Sequence, residues 1–206
     1  SDPSSASFFI AAALMVEGSD ITIKNICMNE TRIGFLKVIN KMGARVEVNN
    51  KKTLCGEPVA DLRVKSSRLK GVEVPKNIVA SMIDEFPILA VLAALAKGKT
   101  EMKGIGELRV KESDRIISMA SGLRDCGVDV SFGDDYMTVE GMREVKGGQL
   151  INTFNDHRIA MSFICLGQVT RKPLQISEST SIGTSFPGFI EKFKEIGANL
   201  SSQKNQ

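Results

Sequence analysis

Tryptophan is missing from this 206-residue chain, and tyrosine and histidine occur once each, as Tyr136 and His157. So few rings make a base-stacking surface hard to assemble, which argues against a nucleic-acid partner. Positive charge is also in short supply: 27 Lys and Arg against 24 Asp and Glu leave +3. That excess is too small to argue for a polyanion or an anionic membrane, so any electrostatic function must come from local placement. The four cysteines, Cys27, Cys55, Cys126 and Cys165, show no CxxC or Cys/His ligand spacing. No metal site is expected from them, and free thiols in a reducing cytoplasm are the better reading. The first apolar run, "FFIAAALMV" at 8–16, lacks a basic leader and is too short to span a bilayer, so no membrane partner is expected.

Hydrophobic residues at 42% and charged ones at 25% give the profile of an ordinary soluble globular protein, long enough to bury a real core. The chain reads as a single domain over 1–206. Its opening, "SDPSSAS" without a Met, suggests part of a longer protein.

One plan recurs three times. Apolar helix-sized runs, "SSASFFIAAALMVEG", "DEFPILAVLAALAKG" and "NDHRIAMSFICLG", each open on polar capping residues and stop near Gly18, Gly98 or Gly167. Each is followed by a strand-like piece: "DITIKNI", "KTEMKGI" or "KPLQIS". An amphipathic helix comes next, ending at Gly43, Gly127 or Gly197. In the middle copy Ile116, Met119, Ala120, Leu123 and Cys126 fall on one helical stripe. Alternating segments such as "ARVEV" then begin a strand, with "ADLRVKSS" and "YMTVEGM" the clearest of those beyond. The unit is therefore βαβαββ, with the first copy lacking its leading strand and the third its last two. No copy can bury its apolar side alone, so the three must pack together with helices inside.

The charges sit at helix starts: Asp84 and Glu85 begin the second apolar helix, Lys111, Glu112 and Arg115 lie at the start of the next amphipathic one, and Asp156, His157 and Arg158 begin the third apolar helix. Pseudo-threefold packing would bring these starts to one end, where unpaired amides and helix dipoles favour anions. Lys111 and Arg115 are four apart, and Glu112 and Arg115 three apart, so all three can share a helical face. Glu112 beside two cations, and Asp84 at a helix start, are candidate proton-transfer carboxylates. Each motif taken alone has a plainer reading: "KESDR" as a solvated capping segment, His157 as a structural histidine, Asp84 as a cap. Their equivalent positions in the threefold pattern favour the joint reading.

The letters are also specific. "ELRVKESDR", "NDHRIAMSF", "MIDEFPILAV", "SFPGF" and "DPSSASFF" resemble 5-enolpyruvylshikimate-3-phosphate synthases from Ser1 to about Leu200. The resemblance implies one domain of an inside-out α/β barrel type, made of about three βαβαββ units with pseudo-threefold symmetry. It also implies transfer of the enolpyruvyl group of phosphoenolpyruvate to the 5-hydroxyl of shikimate 3-phosphate, with release of phosphate and no metal or organic cofactor. Asp84 then matches the acceptor of the hydroxyl proton, and Glu112 a proton-transfer carboxylate near the vinyl carbon. Lys111 matches a shikimate-3-phosphate ligand, and Arg115 and Arg158 match phosphoenolpyruvate ligands, with His157 beside them. A cytoplasmic enzyme that is a monomer when complete is implied, with an N-terminal partner domain supplying further ligands.

Thr184, in "GTSFP", departs from the pattern, since well-known members carry Lys there. This version resembles the branch known for tolerance to glyphosate. Two alternatives stand beside the main reading: the related transferase acting on UDP-N-acetylglucosamine, and a non-catalytic binding domain of the same fold.

Overall fold

The computed structural model of the protein describes residues 2–201. Three apolar helices lie at its centre: α1 (Pro3–Met15), α3 (Phe86–Leu95) and α5 (His157–Gly167). Each touches the other two. Such helices are apolar on every side because each is covered on every side, and Phe86 to Ala94 are all buried. The stretch 76–95 is long and apolar enough to cross a membrane, yet 67% of its apolar window is buried. It is also not one regular helix, since its first half, Lys76–Glu85, is a 3-10 spiral kinked internally at Met82 (φ −151°), and only Phe86–Leu95 is α-helical.

Around this centre the repeat is visible. β1 (Asp20–Cys27), β2 (Arg45–Leu54) and β3 (Glu57–Lys65) form an antiparallel sheet with β3 in the middle. β4 (Lys99–Lys103), β5 (Asp129–Phe132) and β6 (Tyr136–Glu140) repeat the order with β6 central. In the second unit the chain near Lys70 and Glu73 runs parallel to the chain near Lys97 and Glu101, across α3. In the third, β7 (Leu150–Ile151) pairs in parallel with β8 (Gln175–Ile176), across α5. A strand, a buried helix and a parallel return strand thus open both units, as the sequence repeat requires.

The amphipathic helices are α2 (Gly34–Lys41), α4 (Arg115–Asp125) and α7 (Phe189–Glu195). The stripe Ile116, Met119, Ala120, Leu123 and Cys126 is fully buried, as its spacing predicts. Gly43, Gly127 and Gly197 follow the three helices at φ of 90°, 86° and 99°, where a side chain would be strained. Gly167 is different: it is the last residue of α5 rather than a left-handed stop, and Gln168 is the cap. A short helix, α6 (Thr180–Ser185), precedes α7 and carries no periodic signal in the sequence. Phe189 and Phe193 of α7 dock on α1, with ring centroids 6.1 Å apart for Phe8–Phe189 and 5.3 Å for Phe9–Phe193.

Candidate active site

Helix beginnings converge at one end of the molecule, held there by side chains that cross between units. Arg115, first residue of α4, donates from Nε to Asp156 Oδ2 at 2.8 Å, just before α5. From Nη1 it donates to Asp84 Oδ1 at 3.0 Å, just before α3, and from Nη2 to Glu112 Oε2. Arg158 of α5 reaches back with Nη1 to the Asp84 carbonyl at 3.1 Å and lies 3.7 Å from Glu85 Oε1. Lys111 Nζ stands 3.7 Å from Asp84 Oδ1 and 2.7 Å from Glu107 Oε1. Asp84, Lys111, Glu112, Arg115 and Arg158 are therefore one cluster, and His157 is half-buried beside Arg158.

Each start has a local cause. Asp156 caps α5 by accepting from the Arg158 amide, and Asp114 caps α4 by accepting from the Ile117 amide. Because Asp114 takes the cap, Lys111 and Glu112 fall outside α4. Lys111 is extended (φ −84°, ψ −158°), after a 3-10 turn at Gly106–Val110. The expected shared helical face is thus replaced by a loop that still brings Glu112 onto Arg115. "PSSAS" is a capped start too: Asp2 accepts from the Ser5 amide at 2.8 Å.

The electrostatics differ from a bare positive basin. Carboxylates occupy the cap positions, and Arg115, only 1% exposed, gives three of its five N–H bonds to acids. Asp156 is fully buried. Burial alone would raise its carboxyl, but the hydrogen bond and charge of Arg115, with the Arg158 amide and Ser113, hold it below the usual range. Glu107 raises the Lys111 ammonium by hydrogen-bonding to it. Burial, then the charge of Arg158, lowers His157, which favours a neutral imidazole at neutral pH. Burial raises Glu85, whose Oε1 has no hydrogen-bond partner among the described residues.

Asp84 and Glu112 are both open to solvent, yet both are tied to the same buried guanidinium. Two solvent-open carboxylates held one guanidinium apart, with Lys111 and Arg158 flanking them, are an arrangement chemically suited to proton transfer at a small anionic molecule. The model of the family described as EPSP synthase (3-phosphoshikimate 1-carboxyvinyltransferase) matches residues 1–193. The chain belongs to that family. A 3-phosphoshikimate 1-carboxyvinyltransferase of Bartonella tribocorum is 52% identical over 202 residues, covering 97% of this chain and 46% of that protein. One from Parvibaculum lavamentivorans is 52% identical over 200 residues, covering 97% and 44%. The solved EPSP synthase of Acinetobacter baumannii superposes with a TM-score of 0.94 at 41% identity, over 98% of this chain and 47% of that one. The enolpyruvyl transferase NikO of Streptomyces tendae shares the fold alone, with a TM-score of 0.73 at 16% identity.

The chain spans about half the length of these EPSP synthase relatives. Three contributors went unassigned in the sequence reading. Asp156 clamps Arg115, Ser113 holds Asp156 in turn by donating from Oγ to Oδ2 at 3.0 Å, and Glu85 lies 3.7 Å from Arg158. A signal existed for Asp156, a capping acid next to two cations. None existed for Ser113, whose partner is 43 residues away.

Proposed function

We propose that this chain forms the part of a 3-phosphoshikimate 1-carboxyvinyltransferase that carries the proton-transfer carboxylates and half of the anion clamp. The reaction adds the 5-hydroxyl of shikimate 3-phosphate to phosphoenolpyruvate and then eliminates phosphate from the tetrahedral intermediate. In addition, Asp84 accepts the hydroxyl proton while Glu112 protonates the vinyl methylene. In elimination a methyl proton returns to a carboxylate and phosphate leaves, restoring the double bond. The observation that carries this reading is the sharing of one buried guanidinium, Arg115, by Asp84 and Glu112. It fixes their separation while leaving both open to a substrate.

Lys111 serves the shikimate-3-phosphate side, and Arg115 and Arg158, with a neutral His157, serve phosphoenolpyruvate. Of the two arginines, Arg158 has the greater spare capacity: its side chain meets one carbonyl at hydrogen-bond distance and one carboxylate beyond it. Thr184, in α6, supplies no charge where many members have Lys, which leaves more of the load on these two. The active molecule needs a second domain to close over the substrates, no metal or organic cofactor, and a cytoplasmic setting in which it works as a monomer. All 206 residues act as one domain of it.

Phosphate release by the complete enzyme, with shikimate 3-phosphate and separately with UDP-N-acetylglucosamine as acceptor, tests the reading. Turnover is expected with the first only. Asp84→Asn and Glu112→Gln are each expected to lower kcat by about 10²–10⁴ with small changes in KM. Normal turnover in both variants would overturn the assignment.

A further inference from the structure

Glu85 is a buried acid that the reaction does not use. It is 5% exposed and sits at the junction of the 3-10 spiral and α3, one residue after Asp84. Its Oε1 is buried with no hydrogen-bond partner among the described residues, and the cation beside it, Arg158 Nη1, is 3.7 Å away. An ionised carboxylate so placed is unfavourable unless it is paired closely, which this one is not. If packing alone were needed, a neutral side chain of the same size would serve at lower cost.

The groups facing it complete the picture. From α5 comes Arg158, from α1 the Ser4 hydroxyl, from the cap of α1 the Asp2 carboxylate, and from its own segment Asp84. The arginine and Ser4 favour the charged form, while Asp2 and Asp84 oppose it. Burial outweighs them all and raises the carboxyl. Arg158 Nη1 touches both this acid and the Asp84 carbonyl of the open cluster, so an anion that binds the same guanidinium competes with Glu85 for its charge.

Resting on the transferase reading, we infer that Glu85 is a positioning residue for Arg158 that couples anion binding to proton uptake. Ionised, it draws the guanidinium inward and offsets its charge. When phosphoenolpyruvate docks on Arg158, the added negative charge disfavours the Glu85 carboxylate, which takes one proton from solvent and becomes a neutral acid. The full charge of Arg158 then faces the ligand.

The experiment compares wild-type complete enzyme with Glu85→Gln, which keeps the shape and fixes the neutral state. The ratio of the two KM values for phosphoenolpyruvate, taken at each pH from 5.5 to 8.5, cancels the ionisation of the substrate and of His157. The ratio of wild type to variant is expected near one at the acid end and up to roughly tenfold at the alkaline end, since one pKa unit is a factor of ten. KM for shikimate 3-phosphate and kcat are expected to change less than about twofold, within the spread of surface effects. A ratio that stays flat, or an equal change in both KM values, overturns the inference while leaving the transferase reading intact. Absent turnover in the wild type overturns both. Should Glu85→Gln fail to fold, phosphate is titrated into wild type by calorimetry in two buffers of different ionisation heat. Net proton uptake beyond that of phosphate itself supports the coupling, and none overturns it.

Discussion

Arg115 Nε and Asp156 Oδ2 meet at 2.8 Å with both side chains sealed from solvent, 41 residues apart in the chain. This contact ties the start of α4 to the start of α5. It is the anchor on which the exposed carboxylates Asp84 and Glu112 are hung.

Replacing Asp156 by Ala takes from that guanidinium the one fully buried acid of its three and removes the cap of α5 together. Breaking a buried pair costs about 3–5 kcal/mol and a lost cap about 1 kcal/mol more. Urea denaturation should show a loss of this size. The sign with pH follows from the lowered carboxyl: its contribution is present above the unfolded value, about 4, and fades as pH falls through the folded one. The difference between wild type and Asp156→Ala is therefore expected to shrink on acidification. A difference that held steady down to pH 2 would mean the ion pair contributes little.

Arg115 and Arg158 should separate stability from binding. Arg115→Ala leaves the buried Asp156 and Glu112 without their cation, and Asp84 with only the more distant Lys111, and is expected to cost stability on the same scale of about 3–5 kcal/mol, as well as phosphoenolpyruvate affinity. Arg158→Ala loses one carbonyl contact and a loose ion pair, so its stability should fall by about 1 kcal/mol. Its KM for phosphoenolpyruvate should rise by the equivalent of about 1.5–3 kcal/mol, with shikimate 3-phosphate little affected. Paired melting and kinetic measurements decide this. Equal effects of the two substitutions on stability would show that burial does not distinguish them.

How legible this was depends on the distance over which each feature is encoded. The stripe from Ile116 to Cys126 and the all-apolar run at Phe86–Ala94 are local, and a helical period or its absence states which faces are covered. The three units follow from repetition, again a local signal. The 3-10 spirals at Lys76–Glu85 and Gly106–Val110 are short turns without a lasting period, so charge spacing alone places Lys111 in the helix that Asp114 caps three residues later. Least legible was charge compensation. Arg115 meets Asp84 across 31 residues and Arg158 meets the Asp84 carbonyl across 74, and no spacing rule reaches that far. The cations were visible in the sequence, but the acids that already hold them were not.

The repeated glycine stops give a test with opposite signs. Gly43 and Gly127 have open space where a Cβ would go, so only their positive φ resists substitution. Each change to Ala is expected to cost about 1–2 kcal/mol. Gly167 is helical, and an added Cβ would meet Leu174 at an ordinary 3.7 Å. Gly167→Ala should therefore stabilise the protein by about 0.4–1 kcal/mol, by restricting the unfolded chain. Thermal melts of the three variants suffice, and destabilisation by Gly167→Ala would show that α5 ends differently in solution.

The cysteines divide by depth, and reactivity should divide with them. All four are free thiols, with Cys55 exposed, Cys27 half-buried, and Cys126 and Cys165 buried. Burial pushes Cys126 up to about 11, and Cys165 is raised further, with its Sγ turned to the Phe8 carbonyl at 3.4 Å. The thiolate is the reactive form, so the buried pair is protected twice, by access and by proton affinity. Titration with an aromatic disulfide at pH 8 is expected to modify Cys55 rapidly, Cys27 more slowly, and the other two only after denaturation. Rapid modification of Cys165 in native protein would mean that α5 separates from α1 on the labelling timescale, and the closed packing of the three central helices would have to be given up.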